Sequence, residues 1–380
     1  MSLLAGALMT VFTPIFDTNP WILALFPPVL TVRGGIGGIF SGNLSTMLHL
    51  GLIKPRVRGN TPLFRSLISS VLVITTIDTL ILGAVSFILN LVSGNADSDM
   101  WIIFLSVPTI ACMLAVSVSV PLTSLLAIQT YNRGLDPDIL VYPILASMND
   151  IIVTVFYVAT IYLVLLQGVY FGFLIVLFLV ILLGVSFIVY SNLGDSFFLK
   201  TIKEGSFIVV VSSLFGSVNG VLLSRLSGYI SVTPGLITLY PALTNALGNI
   251  GSIIGSKTTT DMALGYARSF IEELRDAGES IIEVELPAFF MHIVFASLSF
   301  IIAGSSTPGV SFTKLLGVAL VTNLLSFLVI SVFALFAAYR AFQLGLNPDN
   351  IVIPSITMLS DTTATLAITP AVMLVGIVGL

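Results

Sequence analysis

Three features of the sequence predict an all-α polytopic membrane protein: two parallel five-helix repeats joined by one extra transmembrane helix, with about eleven spans. The first feature is composition. The 380 residues are 57% hydrophobic and only 8% charged, with a mean hydropathy of +1.12, a balance outside the range of soluble domains. The second is a series of eleven apolar runs separated by turn signals. The third is an internal duplication, in which GLDPDILVYPILASMND (134–150) returns as GLNPDNIVIPSITMLSD (345–361).

The runs place spans at about 2–17, 20–51, 63–92, 100–130 and 137–166, then 169–190, then 205–228, 235–262, 285–304, 311–342 and 349–378. Several exceed the twenty or so residues a bilayer needs, which implies tilt or extension beyond it. The first is short, and its start MSLLAGALMTVF has no basic residue before the apolar run, so no signal peptide is expected. Five is odd, so a direct fusion of two five-span units would invert the second. A linking sixth span restores parity and gives the units the same orientation. The division by repeat is therefore 1–168, a linking helix and loop at 169–202, and 203–380.

Basic residues set the expected orientation. Lys54, Arg56, Arg58, Arg65, Arg133, Lys200, Lys203, Arg268, Arg275 and Arg340 all fall on one side of this topology. The positive-inside rule puts that side and the N-terminus in the cytoplasm and the C-terminus outside. The acidic turn SGNADSD (93–99) is then external. A net charge of −4 with so few basic residues excludes a nucleic-acid partner. The single cysteine, Cys112, excludes an internal disulfide and a cysteine metal cluster and reads as packing, as does His292.

The duplicated stretch carries the chemistry. Asp136 and Asn347 suit the N-cap, and Pro137 and Pro348 then open a helix. Asp138 and Asp349 follow in the first turn, where the helix dipole favours negative charge. Each copy ends in an acid with an apolar run on its C-terminal side, Asp150 and Asp361, 211 residues apart (361 − 150). Thirteen residues beyond Pro137, Asp150 lies about 20 Å along the helix, past the middle of the bilayer. An ionised carboxylate there costs about 3 kcal/mol or more and is tolerated mostly where a cation, a proton or water meets it. Two such acids at equivalent positions predict one shared cation site. Asn149 and Ser360 precede them as candidate pore-lining residues.

A second duplication lies in spans 2 and 8, where FPPVLTVRGGIGGIFSGNLSTMLHLG (26–51) matches YPALTNALGNIGSIIGSKTTTDMALG (240–265). Its glycines, Gly34, Gly37, Gly248 and Gly251 among them, permit close approach of a backbone or an ion. Asn43, Asn245, Asn249 and Ser252 add oxygen donors, and all eight residues are candidates to line a pore. Asp78 in span 3 has no acidic counterpart in span 9 and is a candidate coupling group for a proton or Na⁺. The acidic run before span 9 (Glu272, Glu273, Asp276, Glu279, Glu283, Glu285) reads as a solvated helix.

The motifs PPVLTVRGGIGG, YPALTNALGNIGS, GLDPD…P…ND and GLNPD…P…SD resemble those of the MgtE-type magnesium channels and transporters, especially the eukaryotic-type solute-carrier relatives with two MgtE domains in one chain. The resemblance implies that each five-helix domain gives one fifth-helix aspartate, here Asp150 and Asp361, to a central hydrated Mg²⁺ site. The family's Gly-Asn element is intact at Gly248–Asn249 and reads Gly34–Gly35 in the first half. Mg²⁺ also suits the donors: it takes oxygen ligands, keeps much of its water and needs only one or two carboxylates. Mn²⁺, Co²⁺ and Ca²⁺ fit the same set. The expected function is a divalent-cation channel or transporter in the lipid bilayer, with no enzymatic activity and no organic cofactor. A single chain holds its own pseudo-dimer, which makes a monomer the expected unit. Two alternatives stand beside this: a Na⁺- or H⁺-coupled antiporter, and an intramembrane aspartyl protease using the two acids as a dyad. The chain lacks the GxGD element that such proteases carry.

Overall fold

The computed structural model describes residues 2–134, 137–263, 270–304, 311–345 and 348–376. Every regular element among them is helical. In chain order these are α1 (Ser2–Met9, extended by a 3-10 segment Thr10–Ile15), α2 (Pro20–His49), α3 (Pro62–Val92), α4 (Trp101–Asn132), α5 (Pro137–Leu166) and α6 (Gly168–Asn192). They are followed by α7 (Ser196–Ser224), the short α8 (Ser227–Val232), α9 (Gly235–Ala263), α10 (Phe270–Gly304), α11 (Phe312–Gln343) and α12 (Pro348–Leu374). Eight stretches among the described residues are long and apolar enough to cross a membrane. They fall in α2 to α7, α10 and α11. α9 and α12, rich in Asn, Ser and Thr, are of similar length and are not among the eight, and Ser2–Ile15 is shorter.

Helix boundaries follow the turn chemistry of the duplicated stretch. Gly134 and Gly345 hold φ of +71° and +63° just beyond α4 and α11. Their N–H groups donate to Tyr131 O at 2.9 Å and Phe342 O at 3.1 Å. Only glycine adopts that left-handed conformation cheaply, so each ends one helix and frees the chain to start the next. The proposed N-caps Asp136 and Asn347 lie outside the described residues. The acidic run of 272–276 lies in α10, with its side chains outside them as well. The seventh span begins at Ser196, nine residues before the expected 205, because Asp195 caps it: its Oδ1 accepts the N–H of Phe197 at 2.9 Å and of Phe198 at 3.3 Å.

The chain forms two compact units, residues 25–218 and residues 1–24 with 219–380. This grouping differs from the division by sequence repeat. In the unit of 25–218, α4 packs between α3 and α5, and α6 lies against α3, α4 and α5. Gly83 lets α3 approach α4 closely; a Cβ there would come within 2.4 Å of Phe104 O. α6 keeps Leu174, Phe178 and Val185 buried and leaves Leu179, Val180, Leu183 and Phe187 exposed, as a helix apolar on all sides does when lipid covers it. α7 seats Gly216 over Pro28 and Thr31 of α2.

In the other unit, α9 is packed by α1, α10, α11 and α12. Leu247, Ile250 and Ile254 of α9 share a core with Ile330 and Ala334 of α11 and Val352 and Ile356 of α12. α1 joins this unit through Gly6, where a Cβ would meet Ile237 O at 2.3 Å, and through Ser2, whose Oγ accepts from Asn245 Nδ2 at 2.8 Å. Thus the first helix of the first repeat packs with the second repeat, and most of α7, the first helix of the second, packs with the first.

Candidate cation site

In the unit of 25–218, α2 and α5 bring together Arg33, Gly37, Asn149 and Asp150. Asp150 is 3% exposed and forms a buried ion pair with Arg33, Nη2 to Oδ1. Asn149 is buried beside it, with its amide nitrogen 3.7 Å from where a Cβ at Gly37 would stand. Asn149 Oδ1 and Arg33 Nε are buried and have no hydrogen-bond partner among the described residues, which leaves an acceptor and a donor unused beside the ion pair. Lower on the same interface Phe26 stacks on Tyr157 at 6.1 Å between ring centroids.

In the other unit, α9 and α12 repeat the arrangement with different residues. Gly248 faces Ser360, whose Oγ lies 3.2 Å from a would-be Cβ, and Gly251 faces Ile356 and Ile330. Asp361 is 7% exposed. One turn on, Thr365 Oγ1 donates to the Asp361 carbonyl at 2.6 Å and pairs with Tyr240 OH at 2.9 Å. At the place of Arg33 stands Leu247, buried in the apolar core. Asn249 Oδ1 and Ser252 Oγ are buried without partners among the described residues.

The remaining sequence candidates sort differently. Gly34 is buried in α2, and Asn43 turns its amide onto its own helix at Ile39 O, 2.8 Å. Asn245 is taken by Ser2. Asp78 of α3 is fully buried but is bonded by Ser213 of α7, apart from the α2–α5 contact. Arg33, inside the apolar run of span 2, is the functional residue that the sequence analysis does not single out. The available signal is that a membrane arginine demands a carboxylate. Among the described residues no group of three or more His, Cys, Asp or Glu gathers into a metal cluster. A donor set of isolated carboxylates with amide and hydroxyl oxygens fits a hard, hydrated cation better than a soft metal.

Helices long and apolar enough to cross a membrane, with a buried acid at the same position of each repeat, fit the broad class of integral membrane cation transporters. The family follows from direct comparison: the model of the MgtE family, divalent cation transporters, matches residues 26–160 and 240–369, and the chain belongs to that family as a two-domain member. It is also similar to solute carrier family 41 member 3 of Mus musculus, 21% identical over an alignment covering 95% of this chain and 77% of the mouse protein. No solved structure matches the chain.

Proposed function

We propose that this divalent-cation transporter moves Mg²⁺ as its main substrate, largely hydrated, and that Asp150 and Asp361 are the carboxylates the ion meets on its way. The observation that carries the reading is the twofold occurrence of a proline-started helix with a buried acid at the same position, each packed on a glycine-bearing helix. Mg²⁺ sheds water reluctantly, so a passage with two carboxylates and spare amide and hydroxyl oxygens suits outer-shell contact. Asn149, Asn249, Ser252 and Ser360 supply such oxygens. Gly37 leaves the α2 face low beside Asn149, whereas Gly248 and Gly251 are covered by Ser360 and by Ile356 and Ile330. Arg33 already balances Asp150, which weakens that carboxylate's attraction for a dication. The N-terminus lies in the cytoplasm, the C-terminus outside, and one chain suffices as the working unit.

The purified chain in liposomes tests this through uptake of Mg²⁺, Mn²⁺, Ca²⁺ and Na⁺ measured side by side. Uptake of Mg²⁺ ahead of Na⁺, lost in the Asp150→Asn/Asp361→Asn double variant, is the expected result. Full uptake by a folded double variant rejects the two carboxylates. Cleavage of a transmembrane peptide, in place of ion flux, would reinstate the protease alternative.

A further inference from the structure

A third buried acid lies outside that arrangement. Asp78 stands midway along α3 and has no exposed surface. The Ser213 hydroxyl of α7 donates to its Oδ1, while Oδ2 has no partner among the described residues. From Ser213 a run of polar groups leads to one end of the unit. Ser217 Oγ donates to Ser213 O at 2.7 Å, and Ser86 Oγ of α3 donates to Ser217 Oγ at 2.8 Å. Asn90 Nδ2 donates to Ser86 O at 2.8 Å, and Asn95 Nδ2 donates to Asn90 Oδ1 at 3.3 Å. Asn95 is half-buried in the turn that carries exposed Asp97 and Asp99. The twelve residues from Asp78 to Asn90 span about 18 Å, so the run covers half the thickness of a bilayer.

Toward the other end the run stops. Ile74 Cδ1 sits 2.9 Å from where a Cβ at Gly205 would be, and the hydroxyls of Thr75 and Thr79 turn back to Val71 O and Thr75 O of their own helix. Serine and asparagine often join membrane helices simply as packing contacts. That accounts for the Ser86–Ser217 pair. It does not account for a fully buried carboxylate with one empty oxygen at the inner end of the run, a feature that membranes tolerate mainly where it works.

We propose that Asp78 is a proton-binding site reached from the 93–99 turn along the α3–α7 polar run, and that its protonation is coupled to movement of the divalent cation. Binding is a simple equilibrium: a proton from water forms an O–H bond at Oδ2, the carboxylate becomes neutral, and Ser213 keeps its bond to Oδ1. The surrounding helices bring few other charges. α4 offers only the Cys112 thiol, which is within electrostatic reach of both Asp78 and Arg33. Arg33 of α2 is held by Asp150. α6 has no acid or base, and α7 keeps Lys200, Lys203 and Glu204 in its first turns. The Cys112 thiol, in reach of both, therefore stands between Asp78 and the Arg33–Asp150 pair, and the proposed coupling to the cation runs along that path.

The inference rests on the transport reading, and one assay separates the two. The full chain in liposomes is given Mg²⁺ with and without a one-unit pH gradient, with lumenal Mg²⁺ and lumenal pH both followed by dyes. For one proton exchanged per cation, that gradient shifts the accumulation ratio about tenfold, and addition of Mg²⁺ moves the lumenal pH. Asp78→Asn, matching the neutral acid in shape and still accepting from Ser213, is expected to keep Mg²⁺ flux and lose both proton effects. Ser217→Ala is expected to slow the proton-linked response. Mg²⁺ flux indifferent to the gradient in the unaltered protein overturns the proton site alone, whatever the variants do. Proton dependence that survives in Asp78→Asn overturns the assignment to Asp78. Absence of divalent flux at every pH overturns the transport reading with it.

Discussion

Arg33 and Leu247 occupy the same place in the two repeats, 214 residues apart (247 − 33), and they give the two buried aspartates opposite settings. Asp150 meets a guanidinium across the α2–α5 contact. Asp361 sits at the α9–α12 contact where the matching residue is apolar. The aromatic layer differs in the same way. Tyr240 bonds Thr365, whereas Phe26 at the equivalent position has no hydroxyl, and Thr154 Oγ1, the counterpart of Thr365, is left without a partner among the described residues. A duplicated membrane protein needs the same depth and direction from its two copies, but not the same charge. Once an acid carries its own cation, its attraction for an ion from outside is weakened.

The largest expected effect follows from that difference. Asp361→Asn should lower Mg²⁺ uptake in liposomes at least tenfold, a loss of about 1.4 kcal/mol or more of ion stabilisation. Uptake equal to that of the unaltered protein would break the comparison. Next comes the ion pair itself. Removing one partner of a buried pair leaves an uncompensated charge and costs about 3–5 kcal/mol. Arg33→Leu, which copies the second repeat, should therefore melt far earlier in detergent. Arg33→Leu/Asp150→Asn, which removes both charges, should recover most of the loss. Equal melting of the single and double variants would mean that the pair does not hold α2 to α5.

Much of this architecture can be read directly from the residues, and the reasons are local. Gly134 and Gly345 mark helix ends because only glycine takes positive φ at no steric cost, and Pro137 and Pro348 mark starts because their missing N–H is not needed there. The buried acids stand out because the runs around them are so apolar. What escapes the sequence is pairing at a distance. Arg33 and Asp150 are 117 positions apart, and comparison of the repeats points away from the pair because it offers leucine. Ser213 is one of several serines in α7, with nothing to aim it at Asp78. The affiliation of α1 with the second repeat depends on a backbone-to-backbone fit at Gly6, which a short, uniformly apolar segment does not advertise.

Glycine substitutions sharpen the contrast at lower energy. A methyl group at Gly251 would lie 2.6 Å from Ile356 Cγ2 and 2.8 Å from Ile330 Cγ2, whereas at Gly37 the nearest atom is 3.7 Å away. Overpacking of that kind typically costs about 1–3 kcal/mol, and an uncrowded change stays within about 0.5 kcal/mol. Gly251→Ala should thus lower the melting point of the purified protein, and Gly37→Ala should leave it nearly unchanged. Equal effects would mean that the two helix pairs are equally close, contrary to the geometry.

The smallest effect concerns an acid of the first repeat's unit that works in water. Asp195, between α6 and α7, accepts a hydrogen bond from the Ser66 hydroxyl and the N–H groups of Phe198 and Phe197. The Ser66 bond foremost holds its carboxyl below the ordinary value of 3.8; burial opposes it, and the N–H groups of Phe198 and Phe197 add to the lowering. A depressed value in the folded state means stabilisation that is complete above the unfolded value and lost as the pH falls through the folded one. Acidification from neutral to below 3.8 should therefore loosen the first turn of α7, read as faster amide hydrogen exchange at Leu199 after correction for the intrinsic pH dependence. Asp195→Asn should remove that pH response. Exchange at Leu199 that follows pH equally in both proteins would locate the sensitivity elsewhere. Asp150 is held by a fixed charge and Asp195 by dipoles at the surface, so the two variants weigh an internal cation against a helix cap within a single unit.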